Sequence, residues 1–169
     1  MVKQQRVVKI CPHRYLPEYD VSIWVDGNIR ITGDLTELVD EYDLENTPFF
    51  TRIHPSRDCV YDEADAVVRC GKDSAQNVRK IVSRYKTEGY PSHAGMAETC
   101  VVVRRHNDRR CMLFDEAWAS ELLLNSHRDQ LSFNYVAWKT GFLPGYMSNQ
   151  FRVNGNRYFR MEKHGQILI

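Results

Sequence analysis

Tyr19-Asp20-Val21-Ser22-Ile23-Trp24-Val25-Asp26-Gly27-Asn28-Ile29-Arg30-Ile31 is the stretch on which the reading of the fold turns. Its first half alternates. Val21, Ile23 and Val25 share one face of a strand, and Ser22, Trp24 and Asp26 share the other. The run reads as a buried strand spanning residues 20–26 and is expected at the centre of a sheet. It stops at Asp26-Gly27-Asn28, a carboxylate, a glycine and an amide at a turn. A bare carboxylate at the end of an apolar strand costs free energy unless a cation or hydrogen-bond donors meet it. Gly27 allows close approach of a ligand, or a positive φ. Asp26 and Asn28 offer hard oxygens two residues apart, a donor set suited to Mg²⁺ or Mn²⁺ that keeps phosphate oxygens as its other ligands. Asp-Gly and Gly-Asn are also ordinary turn pairs, so the triplet by itself leaves both readings open.

Outward from this strand the chain alternates between the two periodicities. Residues 6–11 fit either a short strand or the last turn of a helix, and Pro12 and Pro17 then break the chain. Asp34, with Glu37 three residues on, marks a helix start, followed by an apolar stripe of Leu35, Leu38, Val39 and Tyr42. Phe49–Ile53 reads as a strand. Residues 60–70 read as a helix ended by Gly71, and Ser74 caps another that buries Val78, Ile81, Val82 and Tyr85. Thr99-Cys100-Val101-Val102-Val103 is a buried strand. Residues 111–125 form an apolar helix, including Met112, Trp118, Leu122 and Leu123. Ser126 or Asp129 opens a last helix with Leu131, Tyr135 and Trp138 facing the core. Asn154-Gly155, between Phe151-Arg152-Val153 and Tyr158-Phe159, marks a hairpin. Strands alternating with helices imply an α/β fold.

The 169 residues suffice for one domain with a real core, and residues 1–169 are expected to form one. Hydrophobic content of 43% and charged content of 27% are those of a globular chain. A formal net charge of +1 supplies no global field to recruit nucleic acid or a membrane surface. Five cysteines, none at C-x-x-C spacing, argue against a disulfide framework or a zinc site and for reduced thiols in a cytoplasm. No run approaches a membrane span.

Polar groups gather in four places: Asp26–Asn28, the loop His54–Asp58, the loop His93-Ala94-Gly95, and Ser126-His127-Arg128-Asp129-Gln130. In α/β folds ligands collect at the carboxyl ends of strands, so these segments are expected to meet. Each also has a plain structural explanation. His54 can pack beside Pro55, Arg57 and Asp58 can pair on the surface, and Asp129 can be a helix cap.

The order of motifs carries more than any one of them. Arg6, Lys9, Pro12-His13, Leu16-Pro17 and Tyr19 to Asn28 come first. His54, Arg57, Cys59, Tyr61 and Glu63-Ala64 follow, then Glu88-Gly89 with Pro91, and last Arg128 to Phe133 with Tyr135-Val136. In this order the chain resembles nucleotide-sugar glycosyltransferases of the GT-A fold, and in particular the glycosyltransferase-like family known as domain of unknown function 616. More distantly it is similar to family-8 retaining glycosyltransferases. Gly33-Asp34-Leu35 stands where those enzymes have a G-D-L turn, His93-Ala94-Gly95 where they have an Asn-Ala-Gly loop, and Asp129-Gln130 where they have an Asp-Gln pair.

The resemblance implies a reduced GT-A-like mixed sheet flanked by helices. It implies a metal-assisted transfer of sugar, with retention, from a nucleotide-sugar donor to a saccharide or other acceptor. Asp26 and Asn28 would hold Mn²⁺ or Mg²⁺, with Asn28 in place of a second aspartate. Arg6, Lys9, Arg57, His93, Gly95 and Arg128 would bind the donor. Asp129 would hold its sugar hydroxyls, and Gln130 would face the developing positive charge. His164 is the tail histidine that such enzymes would place on metal and phosphate. In these enzymes an amino-terminal segment precedes the metal-binding strand and builds most of the base pocket. Here five residues precede Arg6, so that part is expected to be short or missing. The alternative within the resemblance is a domain that binds sugar or nucleotide without turnover.

Overall fold

A computed structural model describes residues 2–124, 126–147 and 156–162. The expected strand at Phe151–Val153, its Asn154-Gly155 turn and His164 lie outside the described residues. The elements run α1 (Val2–Ile10), β1 (Ser22–Val25), β2 (Ile29–Ile31), α2 (Leu35–Asp40), β3 (Phe49–Ile53), α3 (Val60–Arg69) and α4 (Ala75–Thr87). Then come β4 (Ala97–Arg104), α5 (Arg109–Leu124), α6 (Asp129–Thr140), β5 (Gly145–Met147) and β6 (Phe159–Met161).

Four strands form a mixed sheet in the order β1-β4-β3-β5. The pairs of β4 with β1 and with β3 are antiparallel, and β3 with β5 is parallel. Strands β2 and β6 form a separate antiparallel ribbon. One face of the sheet is covered by α1, α3, α4, α5 and α6, which bury Trp118, Phe114, Phe133, Tyr85 and Tyr135 against Phe49 and Val102. The other is covered by α2 and the ribbon, through Leu38, Tyr158 and Phe159 against Val101 and Val103. This is the expected α/β class, consistent with a reduced GT-A-like arrangement.

The strand at residues 20–26 is not central. β1 is an edge strand, and all four of its residues are half-buried. The central position belongs to β4, where Val101, Val102 and Val103 are each 0% exposed. The physical reason lies in the pattern. Alternation with Ser22 and Asp26 is what a half-covered strand needs, whereas an unbroken apolar run belongs to a strand covered on both faces. The alternation itself holds: Val21, Ile23 and Val25 pack on the ribbon side, and Trp24 on the helix side.

Residues 6–10 are the last turns of a helix, not a strand. Asp34 and Ser74 cap α2 and α4, accepting hydrogen bonds from the amides of Thr36 and Asn77. The described half of the expected tail hairpin pairs with β2. Trp138, expected to face the core, is 44% exposed, and Leu123 of the expected apolar helix is 49% exposed. All five cysteines are free thiols. Among the described residues no helix is long and apolar enough to cross a membrane.

Candidate functional site

Helix α1 turns Val7 and Ile10 into the core and carries Arg6 and Lys9 one turn apart. Its end is fixed by Arg104, whose guanidinium donates to the carbonyls of Lys9 and Ile10 and pairs with buried Asp115 at 2.8 Å. Lys9 is thereby driven into the interior, 1% exposed. A buried ammonium is tolerated only with partners. It has three: Asp129 Oδ2 at 2.7 Å, Asp26 Oδ1 at 3.3 Å and Thr99 Oγ1 at 3.3 Å. Arg6 stands above, 3.6 Å from Asp129 Oδ1 and 3.9 Å from Asp26 Oδ1.

Asp26 ends β1. Its amide donates to the Cys100 carbonyl at 2.9 Å, and its own carbonyl accepts from Ile29 to close the turn into the ribbon. Trp24, on the same face two residues earlier, donates Nε1–H to Asp26 Oδ1 at 2.7 Å. Gly27 is exposed, lacks a positive φ and has open space around it, so it leaves the turn unobstructed. Asp129 opens α6, whose first turn is pinned by Trp118 Nε1–H donating to the Asp129 carbonyl and to Ser132 Oγ. Its carboxylate accepts from Thr99 Oγ1 at 2.9 Å, and the cap position of α6 belongs to Arg128, so Asp129 is not the helix cap. Burial alone would raise its pKa. The charges of Lys9 and Arg6 and the hydrogen bonds from Lys9 and Thr99 outweigh burial and hold it below the ordinary 3.8.

These groups line an open cleft of about 740 Å³. Of the expected site residues, the structure brings together Arg6, Lys9, Asp26, Asn28, Arg128, Asp129 and Gln130. Arg128 leads into α6, and its Nε is buried without a hydrogen-bond partner among the described residues. Arg57, His93 and Gly95 do not line the cleft. Arg57 pairs with Glu63, and its amide donates to His54 Nδ1. His93 pairs with Asp58 at 2.8 Å, and the Gly95 amide donates to the Asp58 carbonyl. Local bonds between their two loops hold them in a second cluster. Elsewhere, a hollow of about 440 Å³ beside Leu113, Phe114 and Leu143 has Arg110 as its one charged lining group among the described residues, and a shallow one along α4 is lined by Arg79, Lys80 and Arg84 with no carboxylate among the described residues.

Sequence reasoning overlooked Thr99, Trp24, Lys72 and Glu162, which complete the cleft or hold its carboxylates. Trp24 was readable from its shared face with Asp26, and Thr99 as a hydroxyl opening an apolar strand. Lys72 and Glu162 carry no such signal. Burial pushes the Cys100 thiol up to about 11, so this wall of the cleft is a protonated, unreactive thiol near neutrality.

Residues 1–164 match the family described as "TOD1/MUCI70, glycosyltransferase-like domain". A relative from Arabidopsis thaliana, "Probable hexosyltransferase MUCI70", is 27% identical over 168 residues, which cover 94% of this chain and 29% of that protein. The chain therefore spans under a third of the length of that relative.

Proposed function

Because the chain belongs to the TOD1/MUCI70 glycosyltransferase-like family, we propose that its charged cleft takes a nucleotide-sugar donor by the diphosphate and passes the sugar to a carbohydrate acceptor. The observation that supports this reading is the convergence on one cleft of Arg6, Lys9 and Arg128 with Asp26, Asp129 and Gln130. Arg6 and Arg128 reach phosphate oxygens, and the unpartnered Arg128 Nε–H is a donor awaiting an acceptor. Lys9 fixes Asp26 and Asp129 relative to one another. Gln130, half-buried on the cleft wall, turns its amide oxygen toward positive charge developing at the sugar. Retention of configuration is the outcome that the family-8 resemblance implies.

Asp26 has Oδ1 committed to Trp24 and Lys9, while Oδ2 accepts no hydrogen bond among the described residues. That oxygen and the Asn28 amide suit a Mn²⁺ or Mg²⁺ that brings phosphate oxygens with it, rather than a resident ion held by protein alone. When bound, such an ion would neutralise the departing diphosphate. A second reading, donor binding without turnover, is favoured by one feature: Lys9 and Arg6 already neutralise Asp26 and Asp129.

A screen of donor hydrolysis across UDP- and GDP-sugars, with and without Mn²⁺, tests the proposal. Turnover is expected with one class of donor and should fall about 10²-fold in Gln130→Ala, because positioning is where such sites gain rate. Asp26→Ala should lose metal-dependent nucleotide binding and keep its fold, since Lys9 retains Asp129. Metal-dependent binding without turnover by any donor would establish the second reading. Absence of nucleotide binding would overturn both.

A further inference from the structure

Among the described residues, two groups of three metal-ligating side chains have their ligand atoms within 4.8 Å of one another: Cys11, His13 and Glu116, and Cys59, Asp62 and His93. The first is already committed. His13 Nε2 and Glu116 Oε1 are bonded at 2.9 Å, and Arg14 forks onto the same carboxylate. Burial, reinforced by Asp115, pushes the Cys11 thiol up to about 12, which opposes thiolate ligation.

In the second group Cys59 and Asp62 make no side-chain hydrogen bond among the described residues and His93 meets Asp58 through Nδ1, and the group lies outside the residues that line the cleft. Cys59 precedes α3, and its thiol makes no cap hydrogen bond. Asp62, three residues on, falls on the same side of the first turn and is exposed. His93 arrives from the loop before β4. Its backbone is left-handed, with φ of 54°, a conformation uncommon outside glycine that collects at ligand clamps. The loop is tied down by the Gly95 amide donating to the Asp58 carbonyl at 2.9 Å. Asp58 Oδ1 lies 2.8 Å from His93 Nδ1. A carboxylate on one ring nitrogen is the usual support of a metal-bound histidine, because it fixes the tautomer and leaves the other nitrogen for the ion.

We propose that Cys59, Asp62 and His93 bind Zn²⁺ or a similar borderline divalent ion, with Asp58 holding the histidine from behind. Thiolate and imidazole select such an ion over Mg²⁺ or Mn²⁺, which prefer all-oxygen sites. Three protein ligands leave a fourth tetrahedral position for water or an incoming group. The ion clasps the 91–95 loop to the start of α3. The site is independent of the donor cleft and of the metal proposed there.

Co²⁺ titration of the metal-free protein is the test. One equivalent should produce the visible absorption of a tetrahedral ion with a thiolate-to-cobalt band, and Zn²⁺ should displace it. Cys59→Ser should remove the band. His93→Ala and Asp62→Asn alter exposed side chains, so circular dichroism should be unchanged while Zn²⁺ affinity falls. Asp58→Asn should cost about 10–100-fold, the usual effect of losing a histidine's supporting carboxylate. Asp26→Ala should leave Zn²⁺ binding intact, which separates this site from the cleft. Lack of a thiolate band, its loss in Cys11→Ser, or an unchanged Zn²⁺ affinity in His93→Ala would each overturn the proposal.

Discussion

Asp129 is 3% exposed and meets Lys9, Thr99 and Arg6 at once. Asp129→Asn removes one of the two carboxylates on a buried ammonium, and breaking a buried pair from one side costs about 3 kcal/mol or somewhat more. The penalty depends on pH in a fixed direction. The folded-state pKa of Asp129 lies below its ordinary 3.8, so the unfolded chain takes up this proton first as pH falls. The stabilisation is therefore complete above about 3.8 and is lost as pH drops through the folded value. Urea midpoints should show a wide gap between parent and Asp129→Asn at neutral pH, closing in acid. A gap independent of pH would mean that the carboxylate is not the ionised partner of Lys9. At this scale the sequence was half legible. It exposed Asp26, Asp129 and Gln130 as chemistry, but it could not tell a cap from a buried ion pair, because Lys9 and Thr99 are 120 and 30 positions distant from Asp129.

Helix α1 shows why the cleft was harder to read at the level of elements. Arg6 and Lys9 are three residues apart, so on a strand they would face opposite ways, and only the helical reading of residues 6–11 unites them. Caps were legible because their signals are local, as at Asp34 and Ser74. Strand order was not, since periodicity shows how many faces a strand buries but not which neighbour it takes. Strand β5 offers a test of the observed order. Gly145 pairs with Phe50 of β3, and a Cβ at Gly145 would clash with the edge of the Phe50 ring. Gly145→Ala should cost about 1–3 kcal/mol by overpacking. Trimming the ring in Gly145→Ala/Phe50→Leu should recover part of the lost melting temperature. An unchanged melting temperature in the single variant would place β5 elsewhere.

For the molecule as a whole, α1 serves as core and as site together. It seats Val7 and Ile10 in the larger core, gives Arg104 two carbonyls, and carries the two cations that balance Asp26 and Asp129. A chain starting at Pro12 should therefore lose the cooperative thermal transition and near-ultraviolet dichroism, not merely ligand binding. Retention of both would make α1 an appendage. The α/β class and most helix positions were legible across the whole chain, because burial imposes its period on each segment separately. Assembly of the two carboxylate-bearing ends, Asp26 and Asp129, on a helix from the start of the chain is a product of packing that no local pattern carries.

The charges that line the cleft, Arg6, Lys9, Lys72 and Arg128 against Asp26, Glu98, Asp129 and Glu162, sum to zero. A lining with no net charge has little pull on a lone dianion and as little on a lone dication. Arriving together, the two can exchange partners with the lining without leaving any charge unmatched. For the proposed donor and its metal this makes the cleft a coincidence detector: each ligand raises the affinity of the other, and by thermodynamic reciprocity the factor is the same in both directions.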